Sequence, residues 1–317
     1  MKTLNVNWMK ILVLGAVMAL FQRCHNTDEP MGAGDVEFQI TDAPSDDASI
    51  KSVIVTVADV KVDGKSVSGF TKQTIDLKAY HEGSTKLLGT GHLDAKTYSN
   101  LTLVLDVDHD VNGATPGCYV LTTANEQYKL RNSGTINILL NKNWNVVANA
   151  ASTVVIDFDL RKTIRSMTDI SVRYNFVSDN DLSAAIRVVN QSKTGSISGS
   201  YSDQSNVSGD KVIVYAYKKG SFNATTETQA AGDSGIMFAH AEANAEVKQG
   251  LTGKTFKLVF LEAGDYELHF ATYNKDAGSN RFIFQSMLMS QASGSATEFI
   301  TIQSGITLSV SSVITGI

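Results

Sequence analysis

Cysteine is nearly absent from this 317-residue chain, which holds only Cys24 and Cys118. That scarcity excludes a disulfide-dense scaffold and a four-thiolate zinc site. Histidine offers no replacement, because His25, His81, His92, His109, His240 and His269 show no H-x-x-x-H spacing. The chain also lacks a G-x-S-x-G elbow, a P-loop and a dinucleotide-binding fingerprint. Positive charge is in deficit: 27 Lys and Arg face 32 Asp and Glu, a net −5. Nucleic acid requires a basic patch, so it is not an expected partner.

Long apolar runs are missing too, apart from residues 11–21. Lys2 and Lys10 precede that run, Gln22, Arg23 and Cys24 close it, and His25-Asn26-Thr27-Asp28-Glu29 follows. A basic start, a short apolar core and a polar exit make a secretory signal. Eleven residues fall well short of the roughly 20 that a membrane span needs. Cysteine at the exit predicts a bacterial lipoprotein, with residues 1–23 removed, Cys24 lipidated and 24–34 as a tether. Phe21, Gln22 and Arg23 are bulkier than the residues such signals carry before the cysteine. An ordinary signal peptide cut elsewhere is therefore the alternative. Lipid on Cys24 would hold the protein on the membrane as an anchor. It would also leave Cys118 a lone thiol, with a Cys24–Cys118 bridge as the other option. Removal of 1–23 leaves 24 cations against 32 acids, a net −8.

The remainder reads as two domains, 35–192 and 193–317, on the domain-size prior. Val36, Phe38 and Ile40 alternate along one strand. Val53, Val55 and Val57 alternate along another before the phase jumps to Val60 and Val62. Such a slip predicts a β-bulge near Ala58-Asp59. Short alternating runs continue to Ala185–Val189, with a brief helical turn expected around 78–89. Asn190-Gln191-Ser192-Lys193-Thr194-Gly195 has a linker's composition. A second set of strands follows, interrupted by an Ala-, Thr- and Glu-rich stretch at 221–250. No repeat relates the two halves in sequence. Short strands spaced by turn residues predict an all-β fold, two β-sandwich domains in tandem after the leader.

Two segments carry a resemblance. Ile40-Thr41-Asp42-Ala43-Pro44-Ser45-Asp46-Asp47 opens the first domain, and Leu93-Asp94-Ala95-Lys96-Thr97-Tyr98 leads into Leu101–Leu105. Val155-Ile156-Asp157-Phe158-Asp159-Leu160-Arg161-Lys162-Thr163-Ile164 comes later. In that order they resemble a lipoprotein domain-of-unknown-function family of Bacteroidetes-type bacteria over about 35–190. Asp94-Ala95-Lys96 departs from that family's P-A-G, and Arg161-Lys162-Thr163 departs near its end. In the second half, Gly195-Ser196-Ile197-Ser198-Gly199 and Leu261-Glu262-Ala263-Gly264-Asp265-Tyr266 resemble prealbumin-like sandwiches, as in carboxypeptidase regulatory and starch-binding modules. That resemblance implies a sandwich that binds, spaces or stiffens.

Asp108-His109-Asp110-Val111-Asn112-Gly113 matches the first half of a calcium loop, with Asp108, Asp110 and Asn112 as ligands. Its twelfth position is Tyr119 where a bidentate Glu belongs, and a polar hairpin turn explains the same residues. Asp157 and Asp159 alternate with buried neighbours, about 7 Å apart along a strand. That spacing could suit a glycosidase pair, but Arg161 and Lys162 make an exposed strand face with its own counter-charges the preferred reading. Asp42, Asp46 and Asp47 read as turn residues that could join them in an acidic patch. Trp144 among polar amides, and Tyr215 and Tyr217 on one strand face, are the candidates for stacking on sugars; the commoner roles are a Trp tucked over a sandwich end, and tyrosines that pair across strands or form the second wall of a sandwich core. The expected function is a lipid-anchored, non-enzymatic protein of the outer membrane that binds, adheres or assists polysaccharide handling at the surface. A spacer or assembly subunit contacting envelope proteins is the alternative, and a glycoside hydrolase the third. No cofactor is expected; calcium at the Asp108 loop is the one candidate, against the hairpin-turn reading.

Overall fold

A computed structural model describes residues 32–43, 47–131, 133–167, 172–205, 207, 209–293 and 299–317. The leader, Cys24 and Asp46 lie outside them. The first half begins with β1 (Ala33–Ala43), β2 (Ile50–Val62), β3 (Lys65–Ser66), β4 (Gln73–Asp76) and β5 (Lys86–Asp94). It continues through β6 (Thr97–Tyr98), β7 (Leu101–Asp106), β8 (Tyr119–Thr122), β9 (Gln127–Lys129) and β10 (Thr135–Leu140). Then come β11 (Trp144–Asn145), β12 (Ala151–Asp159), β13 (Ile164–Ser166), β14 (Tyr174–Phe176) and β15 (Ile186–Asn190). The second half contributes β16 (Thr194–Asp203), β17 (Lys211–Lys218), β18 (Ala243–Glu246), β19 (Lys248–Gly250) and β20 (Gly253–Glu262). It ends with β21 (Gly264–Lys275), β22 (Phe282–Ser293), β23 (Ile300–Ile302) and β24 (Thr307–Gly316). Among the described residues, helix is confined to α1 (Leu160–Thr163), α2 (Asp179–Ala185), α3 (Ala224–Glu227) and short 3-10 turns. Among the described residues no helix is long and apolar enough to cross a membrane. The protein is all-β.

In the first half a sheet in the order β15-β12-β1-β5 faces one built on β10-β7-β2-β8-β9. Alternating side chains of both sheets share one apolar cluster, including Phe38, Ile40, Val57, Val60, Leu103, Ile156 and Phe158. The expected bulge is present, because Val57 lies opposite Leu105 and Asp59 opposite Val104. The helical turn expected at 78–89 shrinks to a 3-10 turn at Leu77–Ala79, capped by Asp76. Residues 86–94 are strand instead. In the second half the sheet runs β18-β17-β21-β22-β24-β16-β20-β19. Because β18 and β19 are consecutive in the chain, this sheet comes close to closing on itself. Its interior holds Ile197, Val214, Leu258, Phe270 and Ile314.

The two halves share part of their strand pairing, which the sequence does not reveal. In each, the first strand runs parallel to a late strand and antiparallel to a middle one: β1 with β12 and β5, β16 with β24 and β20. In each, the second strand pairs with the strand after the corner, β2 with β7 and β17 with β21. Both corners carry Leu, an acid, Ala and then Tyr five residues after the Leu. The tyrosine hydroxyl donates to the carbonyl four residues back, Tyr98 to Asp94 at 3.0 Å and Tyr266 to Glu262 at 2.9 Å. Such a corner pins the chain as it turns from one strand into the next. The starts of the first strands also correspond. Asp35 N donates to Ala150 O, and Ser196 N to Ile306 O. A Cβ on Gly34 would lie 2.4 Å from Val147 O, and one on Gly195 would lie 2.4 Å from Gln303 O. Only glycine permits that approach.

Candidate functional site

Asp42, Asp157, Asp159 and Lys162, all singled out in the sequence, converge where the two domains meet. Ile40–Ala43 lies in parallel register beside Ile156–Asp159, with Thr41 opposite Asp157, Asp42 opposite Phe158 and Ala43 opposite Asp159. The segments that opened and closed the first resemblance are therefore neighbours in space. Asp42 joins Asp157 and Asp159, as the acidic-patch reading anticipates. Asp47 does not: its carboxylate accepts from Ser49 N at 2.9 Å and from Tyr174 OH at 2.9 Å.

Asp157 and Asp159 are buried, at 7% and 9% exposure. This corrects the expectation of an exposed strand face. Alternation fixes which side of the sheet a residue takes, but not what covers that side; here the second domain covers it. Asp157 pairs with Arg187, whose Nη1 continues to Phe260 O of the second domain at 3.3 Å. Asp159 caps α1 by accepting from Arg161 N at 3.0 Å. It also takes Arg161 Nη2 at 3.3 Å and stands 3.7 Å from Lys162 Nζ. Lys162 then donates to Ala241 O at 3.1 Å. The Arg161 guanidinium lies 5.3 Å from the Tyr215 ring centre. With its amide oxygen turned toward Arg161, Asn244 accepts at 3.2 and 3.3 Å. In each case an acid of the first domain orients a cation of the same domain, which reaches into the second.

Burial alone would raise the Asp159 pKa, but the positive charge of Arg161 and Lys162 holds it below the ordinary carboxylate value. Asp42 is the opposite case. Burial, then the negative charges of Asp159 and Asp157, push its pKa well above the ordinary value. Its hydrogen bond from Leu160 N at 3.3 Å and the nearby Lys78 offset only part of this. The enclosed space at the seam is about 40 Å³, lined by residues including Asp42, Asp157, Asp159, Lys162, Arg187 and Glu242. That volume accommodates one or two waters, and a sugar ring cannot enter it.

An apolar contact lies beside the charges, formed by Val155, Val189 and Phe260 with Val259 packed against them. Register between β16 and β20 slips there, so Val259 and Phe260 together oppose Ser196. Phe260 adopts φ +54, a left-handed conformation that costs a bulky residue on the order of 1–3 kcal/mol. Burying its ring returns about 1.5–3 kcal/mol. The two nearly cancel, so the bulge contributes placement: it aims one ring at the first domain.

The other expected site residues lie elsewhere. Trp144, a candidate stacking platform, is 1% exposed and takes the commoner role of a Trp tucked into the core. The β11–β6 bridge places it opposite Tyr98, which it stacks on at 4.7 Å between ring centres, and Phe38 meets it edge-on at 5.8 Å. Tyr215 and Tyr217, the other stacking candidates, are both 0% exposed and belong to a second apolar cluster. Residues of the stretch 219–242 cover them. Phe238 stacks on Tyr215 at 4.2 Å, and Glu227 accepts from Tyr217 OH at 2.7 Å and from His240 Nδ1 at 2.6 Å. The insertion turns the outer face into a second core; strand periodicity gives the face but not the segment that covers it. At the calcium-like loop, Asp108 binds Lys129 at 2.9 Å and accepts from Gly134 N at 2.7 Å. Asp110 accepts from Asn112 N and Ala114 N, both at 2.8 Å. Among the described residues no three His, Cys, Asp or Glu side chains gather as they would around a metal ion. Cys118 is fully buried, and burial pushes its thiol pKa up to about 12.

Fold and seam together define a two-domain all-β protein whose buried charges brace one domain against the other. Residues 33–178 match the family described as a domain of unknown function (DUF4382). No curated protein matches the chain in sequence. Among solved structures it is similar to a leucine-rich repeat protein from Bacteroides thetaiotaomicron, at 12% identity and TM-score 0.21 over 89% of this chain. It is also similar to the TIE protein of Bacillus anthracis, at 12% identity and TM-score 0.18 over 89%. The chain spans only 26% and 34% of those two proteins. A minor pilin of Streptococcus agalactiae matches at 12% identity and TM-score 0.21, covering 89% of this chain and 96% of the pilin. At such scores nothing about function follows from these matches.

Proposed function

We propose that this protein is a non-enzymatic binding module of the bacterial cell envelope, anchored to the outer membrane through lipid on Cys24 and turned toward the outside. In this reading it adheres to, or assists in handling, polysaccharide at the surface. One observation carries the proposal: the two carboxylates best spaced for hydrolysis are spent orienting Arg187, Arg161 and Lys162 across the domain boundary. Acids used as braces make a stiff two-domain body suited to presenting a surface. The leader motif supports export and lipidation, and the acidic Asp28-Glu29 after Cys24 supports outward display.

Burial of Trp144, Tyr215 and Tyr217 removes the aromatic platforms and favours the second reading, a spacer contacting other envelope proteins. A glycan array separates the two. Retention on any glycan supports binding, whereas no retention, with co-purification of a protein partner from solubilised membranes, supports the spacer. Mass spectrometry of the exported protein tests the anchor: an unmodified N-terminus other than Cys24 would end that part of the proposal.

A further inference from the structure

A second cavity lies outside the seam and has no part in bracing the domains through Asp157 or Asp159. It is an open cleft of about 360 Å³, lined by Arg131, Ser133, Arg165, Asn175, Ser178 and Asp233 among others. A volume in the few-hundred Å³ range is ordinary for a small-ligand site. Both domains build it, since Asp233 belongs to the stretch 219–242 of the second. Asp233 takes Arg165 Nη1 at 2.7 Å and Ser178 N at 2.9 Å, so its two oxygens are occupied. Arg131 is held by Asp179 at 2.7 Å and by Val177 O at 3.3 Å.

Each guanidinium carries five donors in a planar fork, and these contacts use one or two of them. Arg165 Nε is screened from solvent and has no partner among the described residues. The two arginines remain 28% and 33% exposed, so they are fixed in place yet open to solvent. Guanidinium forks match the paired oxygens of carboxylate and of sulfate. Ser133 and Asn175 add a hydroxyl and an amide of the kind that pair with sugar hydroxyls. We infer that this cleft binds an anionic sugar, its carboxylate or sulfate ester gripped by Arg131 and Arg165. The inference deepens the glycan-binding reading above and rests on it.

Isothermal titration tests it with three probes: tri-galacturonate, its methyl ester, and a sulfated galactan trisaccharide. The cleft predicts binding of one or both charged probes, none of the ester, and weakening as salt rises. Arg131→Gln should weaken binding about tenfold or more, the worth of a charged hydrogen bond. Ser133→Trp, an exposed position, should block the cleft with the melting temperature unchanged, which keeps the test valid if Arg131→Gln misfolds. Whichever charged probe binds identifies the anion. Equal binding of the ester, or charged binding that both variants leave intact, overturns the cleft while the glycan-binding proposal stands. Failure of every charged and neutral glycan overturns both.

Discussion

Arg187→Met tests the seam where its arithmetic is clearest. The substitution keeps an apolar stem and removes the cation, leaving the Asp157 carboxylate only 10% exposed with its partner gone. Breaking a buried ion pair by deleting one member costs about 3–5 kcal/mol. The lower end applies, because Arg187 retains 22% exposure and the vacated space admits some water. Loss of the bond to Phe260 O adds about 1 kcal/mol. The sum is about 4 kcal/mol, or on the order of 10 °C in melting temperature for a body of this size. Calorimetry and urea melts at pH 7 measure it, and calorimetry also shows whether one transition becomes two as the domains uncouple. Replacing both partners, Arg187→Met with Asp157→Leu, should recover most of the loss, since an apolar pair bears no desolvation penalty. If the single substitution costs less than about 1 kcal/mol, the pair behaves as a surface pair, and the seam does not brace the domains.

Other expectations follow from the same geometry. Asp42 has a folded pKa raised above its unfolded value, so its contribution is fully present below the unfolded pKa and is lost as pH rises through the folded one. Asp42→Asn should therefore be more stable than the native protein at pH 8, with the gap closing toward about pH 4; melting temperature against pH reads this directly. Trp144→Ala should cost about 3–5 kcal/mol, as for other buried aromatics, and leave glycan retention unchanged in whatever fraction remains folded. Tyr98→Phe and Tyr266→Phe should each cost about 1 kcal/mol, and similar losses in urea melts would support equivalent corners.

Local alternation was enough to read much of the fold. The phase jump between Val57 and Val60 located the bulge because it is a property of one strand and its two faces. The short apolar runs likewise marked most strands. Contacts between distant segments were harder. Asp42 and Asp159 are brought together only by a parallel pairing of β1 and β12, which leaves no periodic trace in either strand. Alternation places Tyr215 and Tyr217 on one face, but that the 219–242 insertion closes this face is a long-range fact. The pairing shared by the two halves leaves little trace in the sequence, because its local marks are one tyrosine corner and one close glycine approach per domain, amid otherwise unrelated side chains. Arg131 and Arg165 belong to no motif, and only the chain's path makes them neighbours of one cleft.

The claim that the buried acids brace the protein while its surface binds is tested most directly by incubating the purified protein with a retained polysaccharide and assaying released reducing ends. The account predicts retention with no release, in the native protein and in Asp157→Asn alike. Steady release that Asp157→Asn abolishes would contradict it.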